Sequence, residues 1–308
     1  MSQGYQALRH GAAWLDLRAR GRLVARGRDR ARFLHNVSSN EVKKMTPGAG
    51  CYAFLLTPQG RIQADVWLFC FDGHFLIDTE ADLREKARQQ ILRYKVADQV
   101  EVEDVTGETA AIGVEGPTAG AVLASLGAPL PGTAYAHLPW EGATVAAVTL
   151  TGQPGFRIYS DAGAADGIIR RLEEAGAPAA AEDDARVVRI ENGIPRYGDD
   201  IRENSLPQET RLMHAISFTK GCYLGQEIVE RIRAQGHVNK LLSRVELDTA
   251  EPPAPGTKLA ADGAEVGEIT SAVYSPEAGK AVALAYLRTA FAESGRVLSA
   301  GGVSARVR

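Results

Sequence analysis

Residues 51–71 read CYAFLLTPQGRIQADVWLFCF, two apolar runs on either side of Pro58-Gln59-Gly60. Proline presets the first turn position and glycine supplies the positive φ a tight turn needs, so residues 51–57 and 61–71 are expected to pair as a hairpin. Asp72-Gly73 then turns the chain into a further strand over residues 74–78. Upstream, residues 22–27 alternate apolar and polar positions, and Asp29 is a candidate N-cap for a helix through Phe33 and Leu34. Downstream, Leu83, Ala87, Ile91 and Leu92 share one face of a helix over residues 82–94, and a strand over 99–105 closes the unit. The order is βαββαβ with one extra strand.

A similar order follows. A strand over residues 110–115 leads to a helix with Pro117 in its first turn, a favourable place for proline. Strands over 144–150 and 155–160 come next, then a helix over 164–175 that stops at Gly176. Residues 177–181 are either a short strand or a spacer. Two split βαβ units of this kind predict an α+β fold of two packed ferredoxin-like sheets, roughly 1–105 and 106–240. Asp183 or Asp184 caps a further helix, stopped by Asn192-Gly193, whose last turn carries Glu191. An acid at the negative end of a helix costs a few tenths to about 1 kcal/mol, and such broken local rules tend to mark functional positions. An ion pair with Arg189 or Arg196 is the ordinary alternative. After residue 240 the texture changes to short alternating runs punctuated by Gly and Pro, which predicts a small antiparallel barrel over 241–308.

The chain has 308 residues and a formal charge of −3, which gives no electrostatic footprint for nonspecific nucleic-acid binding. Its three cysteines, at 51, 70 and 222, form no CxxC pair, so neither a disulfide framework nor a zinc site is indicated and no metal ligands are assigned. The absence of an apolar signal core and of any run of 18 apolar residues leads us to expect a cytoplasmic protein with no membrane partner.

The densest concentration of chemistry is Lys220-Gly221-Cys222-Tyr223-Leu224-Gly225-Gln226-Glu227. Gly221 and Gly225 allow unusual backbone geometry, and residues 226–233 repeat apolar positions at helical spacing with acids early and arginines late. A thiol beside a positive helix end and near Lys220 is expected to favour the thiolate, as a nucleophile or soft ligand. The ordinary alternative for Cys222 is a small buried apolar residue, and Cys51 and Cys70, in predicted strands, are read as core.

This stretch, with Arg231 and Gly236 beyond it, resembles the signature of the YgfZ-type folate-binding proteins, relatives of the glycine-cleavage aminomethyltransferases and of mitochondrial iron-sulfur assembly factors. Similarity to the wider GcvT-like fold extends to Phe33-Leu34-His35-Asn36, Thr57-Pro58-Gln59-Gly60-Arg61, Arg189-Ile190-Glu191-Asn192-Gly193 and Tyr197-Gly198-Asp199-Asp200. The resemblance implies a cloverleaf of two ferredoxin-like units and a barrel around a central tetrahydrofolate site. It implies that Glu191 holds the pterin, that Lys220 is a basic folate contact, and that both face one cleft. A flat pterin rich in N–H groups suits a buried carboxylate, and Tyr52, Phe54 and Tyr223 are candidates to stack on it. The transferases carry an acidic pair in the hairpin; here Ala64 replaces one acid and Asp65 remains. The expected function is therefore a tetrahydrofolate-binding accessory protein for assembly or repair of iron-sulfur clusters in client proteins, with Cys222 as its thiol. The alternative is a folate-dependent one-carbon transferase using Asp65 and Glu191.

Overall fold

Pro58-Gln59-Gly60 turns as its residues require: Gly60 sits at φ 71° and its N–H donates to the Thr57 carbonyl at 2.9 Å. The computed structural model containing this hairpin describes residues 1–308, Gln235 by its backbone alone. The chain opens with α1 (Gln3–His10), β1 (Ala13–Asp16), β2 (Gly21–Arg26), α2 (Arg30–Val37), β3 (Gly50–Leu56), β4 (Ile62–Cys70), β5 (Phe75–Thr79), α3 (Arg84–Leu92) and β6 (Glu101–Asp104). It continues with β7 (Thr109–Glu115), α4 (Ala119–Ser125), β8 (His137–Trp140), β9 (Ala143–Ala146), β10 (Gly155–Asp161), α5 (Ala165–Glu174), β11 (Ala179–Ala180) and α6 (Glu182–Glu191). Last come α7 (Gln226–Gln235), β12 (Lys240–Leu247), β13 (Lys258–Ala261), β14 (Ala264–Ser275), β15 (Lys280–Arg288), β16 (Val297–Ala300) and β17 (Val303–Val307).

The fold is α+β, as expected, with two sheets and a closed barrel. The first sheet runs β3-β4-β5-β2-β6 and the second β11-β1-β7-β10-β9-β8. One connection differs from two self-contained units. β1, from the start of the chain, lies between β11 and β7 of the second sheet, so the chain crosses from that sheet into the first through residues 17–20. Residues 179–180 pair in parallel with β1, which makes them a strand and not a spacer. The barrel closes in the order β12-β15-β14-β13-β16-β17, with β17 returning to β12. Its interior is filled by Val245, Leu259, Ile269, Ala283 and Leu298, the inward positions of alternating strands. No helix among the described residues is long and apolar enough to cross a membrane.

Polar contacts tie the three parts together. Asp78 on β5 accepts from Arg20 Nε at 2.7 Å, and from Arg157 Nη1 at 2.8 Å and the Tyr159 hydroxyl at 2.7 Å, both on β10. Both guanidiniums stack on Trp67, Arg20 at 4.6 Å and Arg157 at 4.8 Å from its ring. The barrel docks through Asp200, which takes the hydroxyls of Thr270 and Ser271 and pairs with Arg189 on α6 at 2.8 Å.

Burial alone would push the Asp78 carboxyl up, but Arg157 and Arg20 hold it below the ordinary carboxylate range. A carboxyl depressed by folding contributes stability that is present above its unfolded value of 3.8 and lost as pH falls through its folded value. Asp78→Asn, which leaves buried Arg157 without an ion pair and Arg20 with Glu80 alone, should cost roughly 3–5 kcal/mol in urea unfolding at pH 7. The deficit should shrink below pH 4; a loss under 1 kcal/mol at pH 7 would mean the clamp contributes little.

Candidate functional site

A cavity of about 830 Å³ opens between the two sheets. Tyr52, Asp65 and Trp67 from the hairpin form one wall, and the crossing segment adds Leu17 and Arg20. Val148 and Leu150 supply apolar surface opposite, while Arg186, Arg196 and His214 bring polar groups from α6 and beyond. No residue after His214 lines it. Strand register explains the polar wall. Tyr52 faces Trp67 across the ladder and Phe54 faces Asp65, so period-2 alternation turns Asp65 and Trp67 to one side of the sheet. Tyr52 also meets the rings of Trp67 at 5.1 Å and His214 at 5.6 Å.

Asp65 is 4% exposed. Its Oδ2 accepts from the Tyr52 hydroxyl at 2.8 Å, and its Oδ1 has no hydrogen-bond partner. Burial, followed by the negative charge of Glu80, pushes its carboxyl up to about 6, with the Tyr52 hydroxyl and Arg20 pulling the other way. Of the other buried acids, Asp78 is paired with Arg20 and Arg157, Glu80 with Arg20 and Arg196, and Asp200 with Arg189, while Glu115 and Glu209 accept from hydroxyl or backbone N–H groups. Among the described residues Asp65 is the buried carboxylate with both an unbonded oxygen and no cation in ion-pair contact. Around the mouth, Arg186 binds Asp199 at 2.5 Å and Arg196 binds Glu182 at 3.0 Å.

The two residues expected to share the cleft with Asp65 do not line it. Glu191 ends α6, as predicted, but its carboxylate takes the Tyr5 hydroxyl of α1 at 2.8 Å and the Ser275 hydroxyl at 2.6 Å, with Arg9 at 3.6 Å. The partners are therefore Arg9 and Tyr5, on a helix the sequence reading left unassigned, and not Arg189 or Arg196. Lys220 is 8% exposed, and its ammonium donates to the carbonyls of His35, Ser38 at 2.6 Å and Asn40 at 2.7 Å. These carbonyls lie at and beyond the C-terminus of α2, where helix carbonyls lack partners and a cation is favoured. Burial pulls the ammonium down to about 7, with Cys51 and Glu41 pulling the other way.

The rest of the Lys220–Glu227 motif follows the same logic. The Leu224 N–H donates to the Asn36 carbonyl at 3.0 Å, and Tyr223 packs beneath the Lys220 ammonium at 4.8 Å from its ring. Tyr223 is buried and, like Phe54, is absent from the cavity wall. Gly225 sits at φ 81° as the N-cap of α7, and a Cβ there would meet the Thr57 carbonyl at 2.6 Å and Gly60 at 3.2 Å. The motif thus bolts a loop and a helix N-terminus onto α2 and the hairpin turn. Cys222 rides on this loop, exposed and outside the cavity, three residues before the N-cap. Cys51 and Cys70 are buried, and burial pushes the Cys51 thiol up to about 12. No group of three or more His, Cys, Asp or Glu among the described residues is placed to hold a metal ion.

Sequence reading missed Arg20, Glu80 and Trp67. A usable signal was present in Phe75-Leu76-Ile77-Asp78-Thr79, where a lone acid inside an apolar strand requires a buried cation nearby.

Comparison with known proteins follows the same division of the chain. Residues 1–220 match the GCVT N-terminal domain and residues 240–305 the glycine cleavage T-protein C-terminal barrel domain. The chain is similar to an aminomethyltransferase from Rubrobacter xylanophilus, 29% identical over 293 residues, covering 92% of this chain and 78% of that one. It is also similar to an aminomethyltransferase from Caldanaerobacter subterraneus, 26% identical over 306 residues, covering 94% and 81%. The solved glycine cleavage system aminomethyltransferase T from Bartonella henselae superposes with a TM-score of 0.89 at 20% identity, over 99% of this chain and 87% of that one. That likeness bears on the fold alone.

Because Lys220 satisfies backbone carbonyls, Lys220→Met should cost roughly 1.5–3 kcal/mol, the scale of hydrogen bonds from a charged donor. It should also expose residues 217–225 to limited proteolysis. Denaturation and digestion of the variant check both; an unchanged cleavage pattern would show that the loop does not depend on this anchor.

Proposed function

This chain belongs to the glycine-cleavage T-protein family, and from that membership we propose that it binds tetrahydrofolate in the central cavity. The observation that carries the reading is Asp65, a buried acid that lines the cavity and has one oxygen without a hydrogen-bond partner. A pterin offers several N–H donors on a flat ring, which suits such an acceptor flanked by Tyr52 and Trp67. The volume of about 830 Å³ lies within the usual range for small-molecule sites. Arg18 and Arg186, both lining the cavity and partly exposed, suit the anionic glutamyl tail. When bound, tetrahydrofolate carries one-carbon units; the residues named here hold and orient it.

We assign the use of this site to an accessory role in assembly or repair of iron-sulfur clusters in client proteins, acting through Cys222. Its support is that Cys222 is the exposed thiol of the three, on an anchored loop outside the cavity, and that Ala64 replaces the second acid of the transferase pair. A single thiol does not hold a cluster that takes four cysteine ligands, so Cys222 acts on a cluster that a client shares. Unpaired cysteines suit a reducing compartment such as the cytoplasm. A one-carbon transferase using Asp65 as acid-base group is the second reading, favoured by a carboxyl at about 6, close to working pH.

Titration of tetrahydrofolate and 5-formyltetrahydrofolate against the purified protein tests the site. Binding should be saturable and weaken about ten- to a hundredfold in Asp65→Asn, the scale of a hydrogen bond to a charged group. If the ionised carboxylate is the acceptor, wild-type affinity should fall about tenfold per pH unit below about 6 and stay flat in Asp65→Asn. Absence of saturable binding would end the folate reading. In cells lacking the protein, Cys222→Ser should bind folate normally yet fail to restore iron-sulfur enzyme activity. The transferase reading expects the reverse, a silent Cys222→Ser and an inactive Asp65→Asn.

A further inference from the structure

The barrel carries a second concavity, of about 290 Å³, on its outer face. It shares no lining residue with the central cavity. Strand register builds one side of it. Lys240 on β12 lies directly opposite Arg288 on β15, and because Leu241 and Leu287 pack in the barrel core, the two cations stand side by side on its outside. Tyr286 follows on the same face, and Lys240 Nζ sits 4.5 Å from its ring. The other side is the loop after Asp200. A bulge between Ile269 and Ser271 turns the Thr270 and Ser271 hydroxyls together onto Asp200, which fixes the loop to the barrel. Arg202 comes next, its N–H donating to Ser205 Oγ at 3.1 Å and its carbonyl accepting from the Ser205 N–H at 2.8 Å, so the turn that carries it is closed on itself.

Like charges directly opposite on adjacent strands are destabilising, so Lys240 and Arg288 break a local rule. The chain does not supply the acids to offset them. Arg202, Lys240, Lys258 and Arg288 line the concavity against the open acids Glu265 and Glu268, and both acids pair with Lys258, at 2.9 and 2.7 Å. Glu268 attracts Arg202 and Lys240 at longer range. Asp200 is fully buried and already taken by Thr270, Ser271 and Arg189. Among the described residues Arg202, Lys240 and Arg288 form no ion pair. We propose that this concavity binds a phosphate group, free or carried by a small molecule, with Arg202 and Arg288 donating from their guanidiniums and Lys240 supplying a point charge. A phosphate brings close to two negative charges and three acceptor oxygens, where a carboxylate brings one charge, so it suits a site with three uncompensated cations. The space lies at the lower edge of small-molecule sites, enough for phosphate with a short organic body. The site stands apart from the folate reading, since its occupant reaches neither the central cavity nor Asp65.

The test is isothermal titration of inorganic phosphate and of glycerol 3-phosphate into the purified full-length protein, with chloride holding the ionic strength constant. Both should bind saturably, and Lys240→Gln and Arg288→Gln should each weaken them about tenfold, the scale of one hydrogen bond with a charged partner. Lys95→Gln, at an exposed lysine beyond α3, should leave both affinities unchanged. Because the opposed cations repel, Arg288→Gln should melt no lower than the wild type in phosphate-free buffer, yet lose the rise in melting temperature that phosphate gives the wild type. Tighter binding of the ester assigns a phosphorylated small molecule as the occupant, and tighter binding of the free ion assigns inorganic phosphate; either supports the site. Absence of saturable binding above the chloride background would overturn it, as would an affinity unchanged in Arg288→Gln or weakened equally by Lys95→Gln.

Discussion

A buried aspartate joins the two sheets. Asp78 stands at 0% exposure with two guanidiniums and a phenol around it, one partner from the crossing segment and two from the second sheet. None of these groups could be buried alone, because each charge taken out of water costs several kcal/mol unless it is paired. The cluster therefore specifies how the sheets meet more than it adds to net stability. Where they meet, the aromatic floor of Trp67 and the central cavity follow. Arg20 belongs to both the clamp and the cavity wall, so the mating of the sheets and the shape of the site are one structural fact.

A second constraint fixes the edge of this assembly. The last carbonyls of α2 and those just beyond it find their donors in Lys220 and the Leu224 N–H, which is how a helix end can be buried without orphaned groups. Gly225 and Gly60 let α7 and the hairpin turn approach to a distance no Cβ would allow. The residues around Cys222 are thus explained by packing, while the thiol they carry is exposed and forms no disulfide. That asymmetry separates scaffold from candidate function within eight residues.

Much of the fold was legible because its signals are local. The hairpin turn, the apolar faces of α3 and α5, the stop at Asn192-Gly193 and the alternation of the barrel strands are each decided within a few residues. The insertion of β1 into the second sheet was not legible, since no local pattern distinguishes which sheet a strand joins. The site was read in half. Asp65 was picked out only through the resemblance, as the remaining acid of the transferase pair. Glu191 looked anomalous at a helix end only because its partners, Tyr5 and Arg9, are about 180 residues away and on an unrecognised helix. Lys220 was read as a ligand contact because its real partners are backbone carbonyls, which leave no trace in side-chain sequence.

Asp78 and Asp65 sit on neighbouring strands and titrate in opposite senses. Folding depresses the Asp78 carboxyl, so its stabilisation is present above pH 3.8 and lost as pH falls below it. Folding raises the Asp65 carboxyl from 3.8 to about 6, so its protonated form is the one the fold prefers. Its contribution is full below pH 3.8 and is lost as pH rises from there through about 6, a total of about 3 kcal/mol from two units at 1.36 kcal/mol each. These two groups alone place the stability maximum near pH 4, where Asp78 is already charged and Asp65 has not yet lost its contribution. A carboxylate acceptor for a ligand N–H needs the opposite condition, pH above 6. The protein is thus least comfortable around Asp65 under the conditions in which that oxygen can bind, and a complementary ligand edge is what would return the lost stability. Asp78, Glu80 and Asp200 each have an arginine, and Glu115 has hydroxyl and N–H donors for both oxygens; Asp65 has the Tyr52 hydroxyl alone, which leaves its second oxygen the acceptor that a partner from outside the chain would satisfy.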